Sequence, residues 1–304
     1  MARHLLNLED LASEEILRIM DMTEKAKKNK TWHHDLLKGR TIGLVFQKPS
    51  NRTRVSFEVG ITQLGGHCLY LGPDEINLGV RESTSDVAKT LSRFLDGIVA
   101  RTFSHEDIIE LAKQADVPII NGLSDLYHPC QALTDIFSIK EKFGTFKDIT
   151  LAYIGDGNNV CHSLLLACSK VGINMNIATP QGYEPNFTIV NMARKHCEVS
   201  KAHISISNSP QEAARQANVL YADTWVSMGQ EAEAAKKLLD FDQFQINKEL
   251  VKLANKNYIF MHCLPAHRGQ EVTEDIIDGP HSIIFDQAEN RLHTQKAILI
   301  FLYS

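Results

Sequence analysis

Two hydroxyls, an amide and two guanidinium groups stand within five consecutive residues, Ser50-Asn51-Arg52-Thr53-Arg54. They follow an apolar run, Thr41-Ile42-Gly43-Leu44-Val45-Phe46, that reads as a buried parallel strand. Gln47-Lys48-Pro49 cannot continue that strand, and from Val55 the pattern turns helical until Gly65-Gly66 stops it. With Ser50 or Asn51 as the N-cap, free backbone N–H groups and the positive end of the helix dipole face these side chains. Such a place suits a doubly charged anion, phosphate first. The ordinary alternative is a capped helix whose arginines are merely solvated.

Other reactive groups sit where strands end. Arg101 closes the apolar run Gly97-Ile98-Val99-Ala100, and His128 follows the next one and opens a helix with Pro129-Cys130-Gln131. In open parallel sheets ligands bind beyond the carboxyl ends of the strands. A guanidinium and an imidazole aimed at one place there would bind phosphate oxygens and polarise a carbonyl. Further on, Tyr153-Ile154-Gly155-Asp156-Gly157-Asn158-Asn159-Val160 is a strand, a glycine turn and a helix start. A dinucleotide fingerprint is opposed by Val160 in place of the third glycine and by Thr179-Pro180, with no acid, after the next strand. The turn is better used to aim Asn158 or Asn159 at the polar end of a small ligand. In Asp223-Thr224-Trp225-Val226-Ser227-Met228-Gly229, Asp223 can hold an ammonium group and the Ser-Met-Gly loop a carboxylate. His262-Cys263-Leu264-Pro265-Ala266-His267 brings zinc to mind, but its spacing fits no structural zinc pattern, and no metal is expected.

These residues need scaffolds, and 304 residues are enough for two domains with separate cores. A net charge of −5 argues against a nucleic-acid partner, so the arginines serve a local site. The six cysteines are scattered without a CxxC pair, which predicts reduced thiols in a cytoplasmic protein. No signal peptide is visible, and the longest apolar run, Ala297 to Tyr303, is far too short to span a bilayer. A helix from Leu11 to about Lys28, with Ser13 as its cap, comes first. Strands are predicted at 41–46, 67–71, 97–101 and 117–122, separated by helices at 83–95 and 105–115 and a loop at 72–82. A long connector helix ends near Phe143. A second set of strands comes next, at 149–154, 173–179, 203–207, 219–223, 258–263 and 283–285, and a last helix begins near Leu292. The alternation implies an α/β protein of two lobes, each a mostly parallel sheet flanked by helices, with the active-site cleft between them. The boundary falls near residue 135, giving domains of 1–135 and 136–289.

Taken in order, the motifs at 50–54, 128–131, 155–159, 223–229 and 262–265 resemble the ornithine branch of the aspartate/ornithine carbamoyltransferase superfamily over nearly the whole chain. Ser-x-Arg-Thr-Arg and His-Pro-x-Gln are shared across the superfamily, whereas Asp-x-Trp-x-Ser-Met-Gly and His-Cys-Leu-Pro mark the ornithine branch. The resemblance implies that the first domain binds carbamoyl phosphate, the helix of about 290–304 packing back on it, and that the second binds L-ornithine. Ser50, Asn51, Arg52, Thr53 and Arg101 would hold the phosphate, and His128 and Gln131 the carbamoyl end. Cys263 and Leu264 would line the reacting amine, and Arg291 would return to the carbamoyl phosphate site. Asn159, Asp223, Ser227 and Met228 would hold ornithine. Arg101, His128, Cys263 and Asp223 would be the catalytic groups, acting with no metal or organic cofactor. A homotrimer with sites between subunits is implied, further assembly of trimers being left open.

Two departures stand out. Asn51 replaces the usual Thr, and Asn77-Leu78-Gly79-Val80-Arg81-Glu82 replaces Gln-Leu-Gly-Arg-Gly-Glu, whose Gln reaches a neighbour's phosphate. Asn77 or Arg81 is then the cross-subunit contact. Rival readings are a putrescine carbamoyltransferase, opposed by Ser227-Met228-Gly229, and an acylated-ornithine relative, opposed by the lack of a proline-rich insertion. Outside the class stand a dinucleotide oxidoreductase and a non-catalytic anion binder, which would be expected to lose Cys263 or Arg101. Direction, toward arginine synthesis or citrulline breakdown, stays open.

Overall fold

The computed structural model describes residues 2–226 and 231–304. It divides into two compact units, Met1–Phe137 with Glu289–Ser304, and Ser138–Ala288. The chain passes between them inside two helices, Pro129–Phe143 and Ile284–Tyr303.

In the first unit, β1 (Thr41–Phe46), β2 (His67–Leu71), β3 (Gly97–Arg101) and β4 (Ile119–Leu123) form a sheet of order β2-β1-β3-β4, parallel throughout. β1 and β3 are buried along almost their whole length, as expected of strands covered on both faces. Helices Thr84–Leu91 and His105–Gln114 pack Val87, Ala88, Ile108 and Leu111 against Val45, Ile98 and Ala100. In the second unit, β5 (Thr150–Ile154), β6 (Asn174–Ala178), β7 (Ile204–Ser207), β8 (Val219–Ala222) and β9 (Ile259–His262) are ordered β7-β6-β5-β8-β9, again all parallel. Ile154, Leu220 and Phe260 there meet Trp225, Phe241, Phe244 and Leu250 in one core.

Each order reverses once. The first sheet's order turns back between β1 and β3, the second's between β5 and β8, and loops leaving such neighbours diverge to leave a crevice at the carboxyl ends. Register then decides which residues meet. Phe46 lies abreast of Arg101, and Ala222 abreast of both Ile154 and His262.

Three expectations need correction. The run Ile283–Phe285 is not a strand: a single parallel bridge joins Ser282 to Phe260, and the helix begins at Ile284 rather than near Leu292. Three apolar residues cannot hold an edge against the helix formers next in the chain, and the Gln287 N–H already donates to the Ile283 carbonyl at 2.8 Å. Ser13 is the first helical residue and Ala12 the cap; the Glu15 carboxylate accepts from the Ala12 N–H at 3.0 Å. The 72–82 loop also contains a short helix, Pro73–Ile76, started by proline at its first position. No helix among the described residues is long and apolar enough to cross a membrane.

Candidate active site

In the first unit the β1 strand runs into Ser50, which caps the helix Asn51–Gln63; its Oγ accepts from the Thr53 N–H at 3.3 Å. Of the two candidates Ser50 is therefore the cap, and Asn51 is an exposed first helical residue. Thr53 is buried, and its hydroxyl accepts from Arg291 Nη2 at 3.1 Å. Arg291 Nη1 donates to the Gln131 Oε1 at 2.6 Å, and Gln131 Nε2 donates on to Asp135 at 2.8 Å. The carboxyl-terminal helix thus lays a buried guanidinium beside the Ser50–Thr53 turn.

His128 is buried within reach of the Arg291 charge. Burial holds its imidazole well below the ordinary range, and the charges of Arg291, Arg101, Arg52 and Lys48 press it lower still. A neutral ring ringed by four cations, three of them buried, is an electrostatic socket for a multiply charged anion. Sequence reasoning passes over Lys48, whose only signal is its place in the loop leaving β1, one residue before proline. Burial first, and Arg101 second, pull its ammonium down to about 8, with Asp125 opposing.

Arg54 belongs elsewhere. Two residues apart on a helix are turned by roughly 200°, so Arg52 and Arg54 point to opposite sides. Arg54 lies 3.8 Å over the Tyr70 ring and 3.5 Å from Glu58, and it is not the second guanidinium of the socket. Asn77 ends the short helix Pro73–Ile76 with φ +40° and is exposed, as is Arg81.

In the second unit, the level ends of β8 and β9 bring Asp223 and Cys263 together: the thiol donates to Asp223 Oδ1 at 3.0 Å. That oxygen also accepts from the Thr224 N–H at 2.8 Å, and Oδ2 accepts from Asn158 Nδ2 at 2.7 Å. Asn158 is the cap of the helix Asn159–Val171, its Oδ1 accepting from the Val160 and Cys161 N–H groups and from the Tyr153 hydroxyl. Both ends of the Asn158 amide are therefore committed to the scaffold, and Asn159 is the asparagine beside it. Gly157 shows why the turn takes no dinucleotide. A Cβ there would lie 2.3 Å from Pro185 N, so the close approach a pyrophosphate would need is already occupied by this chain's own backbone. Burial pushes the Asp156 carboxyl up, and Lys237, 2% exposed, counters this through an ion pair of 2.5 Å.

Leu264 adopts the left-handed φ of +61°, a conformation a leucine keeps only when neighbours impose it. Its N–H donates to His262 Nδ1 at 2.8 Å. That fixes the tautomer, so Nε2 carries the proton and donates to the fully buried Glu271 at 3.1 Å. Glu271 also accepts from the His267 N–H at 2.6 Å. Sequence spacing offers no sign of Glu271. Among the described residues Asp223, His262 and Cys263 offer atoms within 4.8 Å of one another, close enough to bracket a cation. With both ring nitrogens of His262 engaged, the arrangement presents a thiol and a carboxylate rather than a ligand set. Ser227 and Met228 lie outside the described residues.

Two family models match the chain: the carbamoyl-P binding domain of aspartate/ornithine carbamoyltransferase over residues 3–141, and its Asp/Orn binding domain over residues 147–302. The chain belongs to the aspartate/ornithine carbamoyltransferase family. Within it, the chain is 54% identical over 301 residues to an ornithine carbamoyltransferase of Bacillus anthracis, covering 99% of this chain and 94% of that one. The solved ornithine carbamoyltransferase of Pyrococcus furiosus superposes with a TM-score of 0.95 at 50% identity, covering 99% and 96% of the two chains. That of Thermus thermophilus superposes with a TM-score of 0.90 at 42% identity over the whole of both chains.

Proposed function

We propose that this chain is an ornithine carbamoyltransferase enzyme, moving the carbamoyl group of carbamoyl phosphate to the δ-amine of L-ornithine to give L-citrulline and phosphate, a step of arginine biosynthesis. The observation that carries this reading is the socket of Lys48, Arg52, Arg101 and Arg291 around a neutral His128. Ser50, Asn51, Arg52, Thr53 and Arg101 take the phosphate oxygens, with Arg291 and Lys48 adding charge. His128 and Gln131 take the carbamoyl end. Asn159, Asp223, Ser227 and Met228 hold ornithine, and Cys263 and Leu264 line its δ-amine.

The chemistry comes from these placements. A neutral imidazole N–H and the Arg101 guanidinium donate to the carbamoyl oxygen, so negative charge gathering there during attack is met by donors already in position. The amine must be neutral to attack. Asp223, holding the Cys263 thiol at 3.0 Å, makes that pair the acceptor of the first proton. The tetrahedral intermediate expels phosphate, which takes the second proton as it leaves.

Lys48 adds a pH dependence. Its charged form, which favours dianion binding, is present below about pH 8 and lost above. The KM for carbamoyl phosphate is expected to climb as pH rises through that value, by up to about tenfold per unit. Lys48→Met is expected to raise the KM at pH 7 and flatten the climb; an unaltered profile in that variant would remove Lys48 from the site.

The working molecule in this reading is a homotrimer of the cytoplasm. Val55, Val59 and Leu69, between 38% and 50% exposed, supply apolar surface on the first unit for a neighbour to cover, and all six cysteines are free thiols. Citrulline formation from ornithine against carbamoylation of putrescine tests the substrate. Turnover with ornithine is expected, and turnover with putrescine alone would overturn the assignment.

A further inference from the structure

The loop 77–82 exposes Asn77, Gly79, Val80, Arg81 and Glu82 while burying only Leu78, at 3%. Exposed tips of this kind are ordinarily loose, yet this one is tied at its base. Gln47 Nε2 donates to the Leu78 carbonyl at 3.1 Å and to Asp107 Oδ2 at 3.2 Å, while Gln47 Oε1 accepts from the Phe103 N–H at 2.6 Å. Asp107 Oδ1 accepts from the hydroxyl of Thr84, a buried residue in the first turn of the helix after the loop, at 2.9 Å. Within the loop, the Gly79 N–H donates to the Glu82 carbonyl and the Arg81 N–H to that of Asn77, both at 3.1 Å. Gln47 is also the first residue beyond β1, and its own N–H donates to the Arg101 carbonyl at 2.8 Å. One residue, through its backbone on one side and its side chain on the other, therefore joins the strand ends of the phosphate socket to the base of the loop.

We propose that Gln47, Thr84 and Asp107 form a positioning clamp that pre-orders the 77–82 loop, whose Asn77 and Arg81 the family resemblance sets against the phosphate of carbamoyl phosphate held by a neighbouring copy of this chain. The inference rests on the homotrimer reading above. Its physical basis is entropic: a loop ordered before the ligand arrives spares the binding step the cost of ordering it. The three clamp residues touch no substrate, and their effect falls on carbamoyl phosphate rather than on ornithine.

Thr84→Val removes one hydroxyl and keeps the shape. It is expected to raise the KM for carbamoyl phosphate about tenfold, with the ornithine KM and the melting temperature little moved, and Thr84→Ser is expected to restore it. Asp107→Ala breaks both arms and should do more. In trimers assembled from a mixture of Asp107→Ala and Arg101→Ala chains, some sites combine an intact Arg101 with an intact loop from the other chain. Such mixtures are expected to regain a wild-type KM for carbamoyl phosphate. A defect that persists in the mixture, or no KM change in Thr84→Val and Asp107→Ala alone, would overturn the clamp. An Asn77→Ala/Arg81→Ala chain mixed in the same way separates the two ideas. If it complements Arg101→Ala while Asp107→Ala shows no defect, the clamp fails and the cross-subunit loop stands. If the double variant has no defect of its own, the loop reading fails and takes the clamp with it.

Discussion

Arg101→Ala is expected to lose carbamoyl transfer almost entirely, with kcat/KM down on the order of 10⁴-fold, while the protein stays folded. Two losses combine. One is a buried charge facing the phosphate, and the other is a donor to the carbonyl oxygen as it becomes an oxyanion. Stability should hardly suffer, because Arg101 is one of four cations crowded around His128 and its removal relieves repulsion. The same relief should let the His128 imidazole titrate at a higher pH, which a proton NMR titration of the variant reads directly. A rate near that of the parent, or an imidazole that does not move, would take Arg101 out of the socket.

The second large effect is expected at Asp223. In Asp223→Asn the amide must turn its NH₂ either toward the Asn158 Nδ2 donor or toward the Cys263 thiol and the Thr224 N–H, so at least one hydrogen bond is lost whichever way it faces. The anion that would hold an ammonium and accept a proton is also gone. Turnover should fall by roughly 10³-fold with a raised KM for ornithine. Carbamoyl phosphate binding, which belongs to the first unit, should be unaltered in a calorimetric titration. A loss of carbamoyl phosphate affinity equal to the loss of turnover would mean that the substitution had disturbed more than the ornithine side.

Much of the site is readable along the chain because parallel sheets put chemistry in predictable places. A buried strand that runs into polar or reactive residues marks a carboxyl end: Arg101 is the last residue of β3, Asp223 and Cys263 directly follow β8 and β9, and Ser50 stands four residues beyond β1. The remainder depends on contacts between distant residues. Glu271 looks like any loop acid until His262 is seen donating to it. Lys48 looks like a solvated lysine until Arg101 and burial act on it. Asn158 and Asn159 are equivalent as letters, and only the helix start decides which of them is the cap. Helical rotation separates Arg52 from Arg54 although they are two letters apart. The error at Ile283–Phe285 has the same origin, since a short apolar run takes its conformation from the longer helical segment it leads into.

The most direct test is a crystal structure of the protein with a stable bisubstrate mimic, a phosphonate at one end and an α-amino acid at the other. The phosphonate oxygens are expected within hydrogen-bond distance of the Ser50–Thr53 turn, Arg101 and Arg291, and the α-amino group on Asp223. A phosphonate bound away from that turn, or an amino-acid end that ignores Asp223, would contradict the assignment of a dianion to the first unit and a nucleophile to the second.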